Sequence, residues 1–365
     1  MDARARVRPV PMIPSKTLRS AEALAEAGLA DAADLPGLQA VAERYAVAVT
    51  PVMAELIAAE GGTGPVSRQF LPDPAELRTL PSELADPIGD FAHSPVEGIV
   101  HRYPDRVLLK VTHTCAVYCR FCFRREMVGP DGHGALAGEA LEKALAYIAA
   151  RPEVWEVILT GGDPLVLSPR RLAELIGRLA AIGHVKVVRI HTRVPAVDPE
   201  AVTPELVAAL RPPSGLAVWI ALHANHASEL TPVARAACAR LIDAGLPMVS
   251  QSVLLKGVND TPQALADLMR AFVETRIRPY YLHHPDLAPG TSHLRPTLEE
   301  GRAVVSALRG AVSGLCQPSY VVDLPGGRGK VPAEAAWLTA DANGEPDYAV
   351  ARLPVTGRLG DPAPE

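Results

Sequence analysis

The sequence predicts an α/β fold built on parallel strands, and three observations carry that prediction. From Arg106 onward, short β-branched runs alternate with longer amphipathic ones, in six successive β-then-α units. That order is the mark of parallel strands joined by right-handed crossovers. Several amphipathic runs open on Ser or Thr before Pro, at Ser168-Pro169, Thr203-Pro204 and Thr231-Pro232. A hydroxyl at the cap and a proline in the first turn are start signals for a helix. The chain has 365 residues, 48% hydrophobic and 21% charged, enough for one large globular domain with attachments, or for two. An open or partial barrel and a doubly wound sheet both fit the unit count, and in either one ligands gather at the C-terminal strand ends.

Taken in order, residues 1–104 read as mostly helical and irregular. Apolar spacing suits a helix over Leu18–Ala32 and another over Leu38–Ala59, broken where Thr50 meets Pro51 because proline cannot continue the hydrogen-bond ladder. A Pro/Gly-rich passage from Gly61 to Gly98 shows no strong periodicity. The body of the fold is expected over 105–318, with strands at 107–112, 154–159, 185–190, 216–222, 248–255 and 279–283. Helices are expected at 139–150, 169–182, 204–210, 232–244, 262–274 and 298–312. A last strand, 320–323, leads into a glycine-rich loop and a tail, which make a C-terminal segment of 319–365.

Charge narrows the function classes. With 36 Lys+Arg against 41 Asp+Glu, the formal charge is −5, which argues against a nucleic-acid or membrane-surface partner. The longest apolar-rich stretch, Gly215 to Ala224, is about ten residues, short of the roughly 18 that span a bilayer. The arginines at the start have no apolar segment behind them, so no secretory signal is read and a cytoplasmic location is expected.

The five cysteines carry more. Cys115, Cys119 and Cys122 lie together just after the first strand, while Cys238 and Cys316 are isolated. An odd number clustered on one loop is a poor disulfide framework and a better metal site. Three thiolates spaced C-x₃-C-x₂-C can ligate three irons of a four-iron, four-sulfur (4Fe-4S) cluster and leave the fourth iron without a protein ligand. Structural zinc takes four protein ligands, and no second Cys or His pair stands at finger-like spacing nearby. The interleaved Tyr118 and Phe121 could shield such a cluster from solvent, a factor that tunes its potential.

Two glycine-rich loops stand at other strand ends. Gly161-Gly162-Asp163-Pro164 follows the second strand and, taken alone, is only a turn. The loop 323–330, DLPGGRGK, fails the phosphate-cradling P-loop pattern, which needs Gly in place of Leu324 and Ser or Thr in place of Val331. Its glycines make a closely approachable backbone that delivers one lysine, Lys330. A lysine in a closed site can form an imine with an aldehyde cofactor, although after an arbitrary turn it would be a solvated surface residue.

The cysteine spacing, with an aromatic before the last cysteine, resembles the radical S-adenosylmethionine superfamily. More specifically, HRYPDR (101–106), CAVYCRFCFRR (115–125), LTGGDPL (159–165), QSVLLKGVND (251–260), PYYLHHPD (279–286) and the 323–330 loop resemble the lysine 2,3-aminomutase family in collinear order. The resemblance implies a partial (β/α)6 barrel of the radical SAM type with an N-terminal helical region and a C-terminal pyridoxal-phosphate segment. It implies a 4Fe-4S cluster on Cys115, Cys119 and Cys122, with S-adenosyl-L-methionine bound at Gly161, Gly162 and Asp163. Lys330 would carry pyridoxal 5'-phosphate, Arg102 and Arg106 would sit near it, and His223 and Gln251 would line the cofactor cavity. Arg124 would grip the substrate α-carboxylate, and Asp286 and Asp323 would hold a distal ammonium.

The activity implied is an isomerase that moves the α-amino group of lysine to the β-carbon. Implied partners are a small-molecule amino acid and an electron donor such as flavodoxin or ferredoxin, while homo-oligomerisation stays open. The cysteine-free tail after Val331 leads to an expectation of no zinc. His283 resembles the branch that makes β-lysine for modification of elongation factor P, whereas retention of Asp323 does not. Rearrangement of arginine or another cationic amino acid fits two acids as well, and a non-catalytic iron–sulfur protein is the rival from another class.

Overall fold

A computed structural model describes residues 14–129, 134–212 and 215–334. One sheet of nine strands runs through it in chain order, each strand beside its predecessor. β1 (Ile99–Tyr103) pairs antiparallel with β2 (Arg106–Thr112). Then β3 (Glu156–Gly161), β4 (Val187–Thr192), β5 (Ala217–His223), β6 (Met248–Val253), β7 (Arg278–His283) and β8 (Ser319–Leu324) follow in parallel. β9 (Gly329–Pro332) folds back antiparallel on β8. A doubly wound sheet would reverse its strand order partway; this one never does, so it is a partial barrel with a seam between β1 and β9.

Among the described residues four α-helices precede the sheet: α1 (Ala21–Glu26), α2 (Leu35–Arg44), α3 (Pro51–Ala59) and α4 (Pro65–Phe70). The crossovers hold α5 (Gly138–Ala149), α6 (Pro169–Ala180), α7 (Val194–Val197), α8 (Pro204–Leu210), α9 (Pro232–Asp243) and α10 (Pro262–Glu274), and α11 (Leu298–Ser306) follows β7. The hydroxyl–proline starts work as expected: Ser168, Thr203 and Thr231 each accept a backbone N–H three residues on, and Thr261 and Thr297 do the same for α10 and α11. Side chains alternate across each strand. Val107, Leu109, Val157, Leu159, Val188 and Ile190 pack outward in the core that Leu172, Ile176 and Leu179 of α6 share. Arg106, Leu108, Glu156, Ile158, Arg189 and His191 face inward. Among the described residues no helix is long and apolar enough to cross a membrane.

The departures have physical reasons. The 38–59 segment divides into α2 and α3 at Thr50-Pro51, as the proline predicts, and the 18–32 helix contracts to α1 before a left-handed Gly28. β1 and β9 lie where irregular chain and a loop are expected; both are short, and their partly polar faces hide any alternation. The β1–β2 hairpin therefore crosses residue 104. The chain after Glu334, and with it most of the cysteine-free tail, lies outside the described residues.

The N-terminal segment anchors the cysteine loop through a buried ion triad. Glu76 accepts from Arg120 Nε at 2.9 Å and Nη2 at 2.6 Å, and also from Arg125 Nη2. Burial by itself would raise the Glu76 carboxyl, but the two guanidinium groups hold it below the ordinary range. Glu76→Ala leaves both arginines buried without a counter-charge. The expected loss is about 3–5 kcal/mol of unfolding free energy, read as a lower urea midpoint; a wild-type midpoint would show that the triad contributes nothing.

Candidate active site inside the barrel

The inward strand faces and the loops at their C-terminal ends enclose one cavity of about 430 Å³. Cys115, Cys119, Cys122, Gly161, Gly162 and Asp163 form one part of its wall, and Lys330, Asp323, Asp286 and Arg102 another. Arg106, Arg124, His223, Gln251 and Phe121 line it too, so the residues expected to bind cofactors and substrate meet in this chamber, whereas Tyr118 lies outside its lining.

The cysteine loop leaves β2 and is pinned by the glycine loop after β3. Gly162 N–H donates to Thr112 O at 2.5 Å and Asp163 N–H to Thr114 O at 2.9 Å. A Cβ on Gly161 would meet Thr112 O at 2.4 Å, and one on Gly162 would meet Thr114 O at 2.2 Å, so only glycine allows this approach. Asp163 turns inward on the protein: it accepts from Leu165 N–H at 3.0 Å, Thr192 Oγ1 at 2.7 Å and Arg193 N–H at 2.7 Å. It braces the loop against β4.

The three thiols are free, and burial together with the neighbouring Cys119 charge pushes Cys122 up to about 11. Three thiolates would repel one another in a dry wall, and iron cations remove that penalty. Among the described residues no three Cys, His, Asp or Glu side chains close on a single ion.

At the seam, hairpin register decides the chemistry. Asp323 on β8 lies directly opposite Lys330 on β9, which puts both side chains on one face. Lys330 Nζ donates to both Asp323 oxygens, at 2.8 and 2.6 Å. Burial would raise Asp323, but His283 and Lys330 pull its carboxyl down to about 2. Asp286, buried near the Asp323 charge and without a partner as close, is pushed up to about 7. The two acids therefore hold their protons with very different strength.

Asp90, behind the cavity wall, and His191, on it, are absent from the sequence reading, and His283 enters there only as a mark of one branch. Asp90 accepts from Arg124 Nη2 at 2.8 Å and Arg102 Nη2 at 3.2 Å, and Arg102 reaches Asp323 at 3.5 Å. Arg124 is thus held in place by Asp90 rather than standing free. His191 and His283 also line the cavity; burial keeps both imidazoles toward neutral, and their Nε2 atoms have no hydrogen-bond partner among the described residues. Gly89 packs so closely on the lysine turn that a Cβ would meet Gly327 N at 2.3 Å, a contact between chain segments far apart in sequence, so no local signal pointed to Asp90.

A model of the radical SAM superfamily matches residues 109–269. The chain is 41% identical over 297 residues to the L-lysine 2,3-aminomutase of Clostridium subterminale, covering 81% of this chain and 71% of that one. It is 42% identical over 296 residues to the L-lysine 2,3-aminomutase of Acetoanaerobium sticklandii, with the same coverage of 81% and 71%. It is also 33% identical over 316 residues to the glutamate 2,3-aminomutase of Clostridioides difficile, across 86% of this chain and 73% of that one.

The raised Asp286 sets a pH dependence of stability. Between an unfolded value near 3.8 and a folded value of about 7, the folded chain keeps a proton that the unfolded chain releases. Unfolding free energy contributed by this group therefore falls as pH rises through that window. Relative to Asp286→Asn, the wild type should lose stability between pH 5 and pH 8 in urea titrations (about 1.4 kcal/mol at most per unit). Parallel curves for the two proteins would refute the assignment.

Proposed function

The chain belongs to the radical SAM superfamily and, within it, to the lysine 2,3-aminomutase family, and from that premise we propose that it moves the α-amino group of L-lysine to the β-carbon, giving β-lysine. One observation carries the choice of substrate. Asp323 already holds a primary alkylammonium, that of Lys330, at 2.6 Å inside the barrel, and Asp286 lies close by. A lysine side chain ends in the same group, and a buried ammonium is tolerable only against such an acid. A glutamate side chain would bring a third carboxylate to these two.

Membership carries a 4Fe-4S cluster and S-adenosyl-L-methionine with it. We assign Cys115, Cys119 and Cys122 as the iron ligands and the Gly161–Gly162 backbone as the seat of the methionine end. Lys330 is the residue for pyridoxal phosphate. The cavity fits an anionic cofactor: Arg106 lines it, and Arg102 keeps a buried Nε without a partner. When bound, these groups would supply a hydrogen-abstracting radical and an aldehyde carbon that holds the amino nitrogen while it moves from C2 to C3.

The chain's own residues bind and orient. Arg124, fixed by Asp90, presents its planar fork to the α-carboxylate. Asp323 and Asp286 hold the far end, so the substrate is stretched between two charged anchors and its C2 and C3 stay in place. The strand faces and loops around the cavity limit the water that reaches the reacting carbons.

The test is an anaerobic assay with lysine, arginine, glutamate and alanine, following β-amino products. β-Lysine should form, and both Asp323→Asn and Asp286→Asn should lower lysine turnover by about a hundredfold or more with iron content unchanged. Unchanged lysine kinetics in both variants would overturn the ammonium pocket. Lys330→Ala should lose a borohydride-sensitive near-visible band that pyridoxal phosphate confers on the wild type. A wild type without that band would favour a cluster protein of another kind, and stoichiometric build-up of 5'-deoxyadenosine would favour a radical enzyme that consumes S-adenosyl-L-methionine.

A further inference from the structure

We infer that Arg193 sets the reduction potential of the iron–sulfur cluster by hydrogen-bonding the sulfur of Cys119. The inference rests on the assignment of Cys119 as an iron ligand. Arg193 follows β4, and its Nη1 donates to Cys119 Sγ at 3.0 Å. The guanidinium has little freedom. Its Nη2 donates to Gln69 Oε1 at 3.1 Å and also to Glu229 Oε2, and its own backbone N–H is held by Asp163. Phe70 and Phe121 lie against it, with ring centroids at 4.8 and 5.6 Å.

Glu229, behind it, is fully buried. Glu229 Oε1 accepts from Asn225 N–H at 2.8 Å, His226 N–H at 2.9 Å and Gln69 Nε2 at 3.0 Å. The result is a fixed buried ion pair whose positive end touches a cysteine of the loop.

Reduction takes one electron from an external one-electron donor and adds one negative charge to the cluster, with no bond made or broken. Part of that charge resides on the thiolate sulfurs, and hydrogen bonds to those sulfurs are among the groups that set the potential. A charge-assisted N–H in a water-poor wall favours the reduced state more than the oxidised one. Arg193 therefore raises the potential, and Glu229, by offsetting the guanidinium, lowers it. The same geometry requires the two residues to act with opposite signs. A residue that merely holds the loop in shape would not do so.

The experiment is an anaerobic redox titration of the reconstituted full chain, without S-adenosyl-L-methionine or pyridoxal phosphate. It is followed by the paramagnetic resonance of the reduced cluster, with iron and sulfide counted per chain. Arg193→Gln should shift the midpoint negative, with about a tenfold fall in the reduced-to-oxidised ratio at the wild-type midpoint, which is about 59 mV. Arg193→Lys should fall between that variant and the wild type. Glu229→Gln should shift the midpoint positive, and it carries the test by itself if Arg193→Gln fails to hold a cluster. Shifts of the same sign, or an unmoved midpoint in Glu229→Gln with full iron, would overturn the inference while leaving the aminomutase reading intact. A normal cluster in Cys119→Ala would instead overturn the ligand assignment and this inference with it.

Discussion

Closure of the barrel at its seam depends on charge. Among the described residues β1 and β9 are the two edges of the sheet, and no backbone ladder joins them. Instead Lys330 N–H donates to Tyr103 Oη at 2.8 Å, and Arg102 reaches across to Asp323 at 3.5 Å. From there an alternating line runs through the interior, Lys330 to Asp323 to Arg102 to Asp90 to Arg124. Each member is tolerable in a dry chamber only because its neighbours carry the opposite sign. Asp286 stands beside the line without so close a partner, and its carboxyl rises to about 7 while that of Asp323 falls to about 2. The seam thus encloses the cavity, aims Lys330 into it, and leaves two acids that hold their protons with different strength.

The N-terminal hundred residues take their meaning from the same constraint. Barrel strands and their loops supply inward cations, and the N-terminal segment supplies groups that hold them. Glu76 backs Arg120 and Arg125, Asp90 backs Arg102 and Arg124, and Gln69 contacts Arg193. All three are fully buried. Removing this segment would leave five arginines facing a low-dielectric interior with fewer partners, so it acts as the outer layer of the site.

That outer layer was the part the sequence concealed. Local signals were legible: cysteine spacing, β–α alternation and hydroxyl–proline helix starts each concern residues within a few positions of one another. The Asp323–Lys330 pair is legible too in hindsight, because a turn over 325–328 forces the two into opposition. Arg102 and Asp323, by contrast, are 221 residues apart, and Glu76 meets Arg120 across 44. A lone acid in the aperiodic 61–98 passage announces nothing about such partners. Arg193 was hidden for the same reason: it reads as the residue after a strand, and only folding shows the sulfur it touches.

On the proposed reading, charge conservation also explains why a cationic substrate suits this chamber. In the structure an ammonium occupies Asp323, and that ammonium belongs to the lysine assigned to the aldehyde cofactor. Engaging its nitrogen elsewhere would leave Asp323 with Arg102 at 3.5 Å and the His283 imidazole at 3.8 Å, and without the ammonium at 2.6 Å. An incoming side-chain ammonium restores the lost partner without adding net charge to the line, so its desolvation is offset by an acid already in place. A neutral side chain leaves the carboxylate short of a counter-ion, and an acidic one adds repulsion. Arg124 at the other end serves any α-carboxylate equally; discrimination among amino acids therefore falls to the seam, the same place where the barrel is closed by ions rather than by strands.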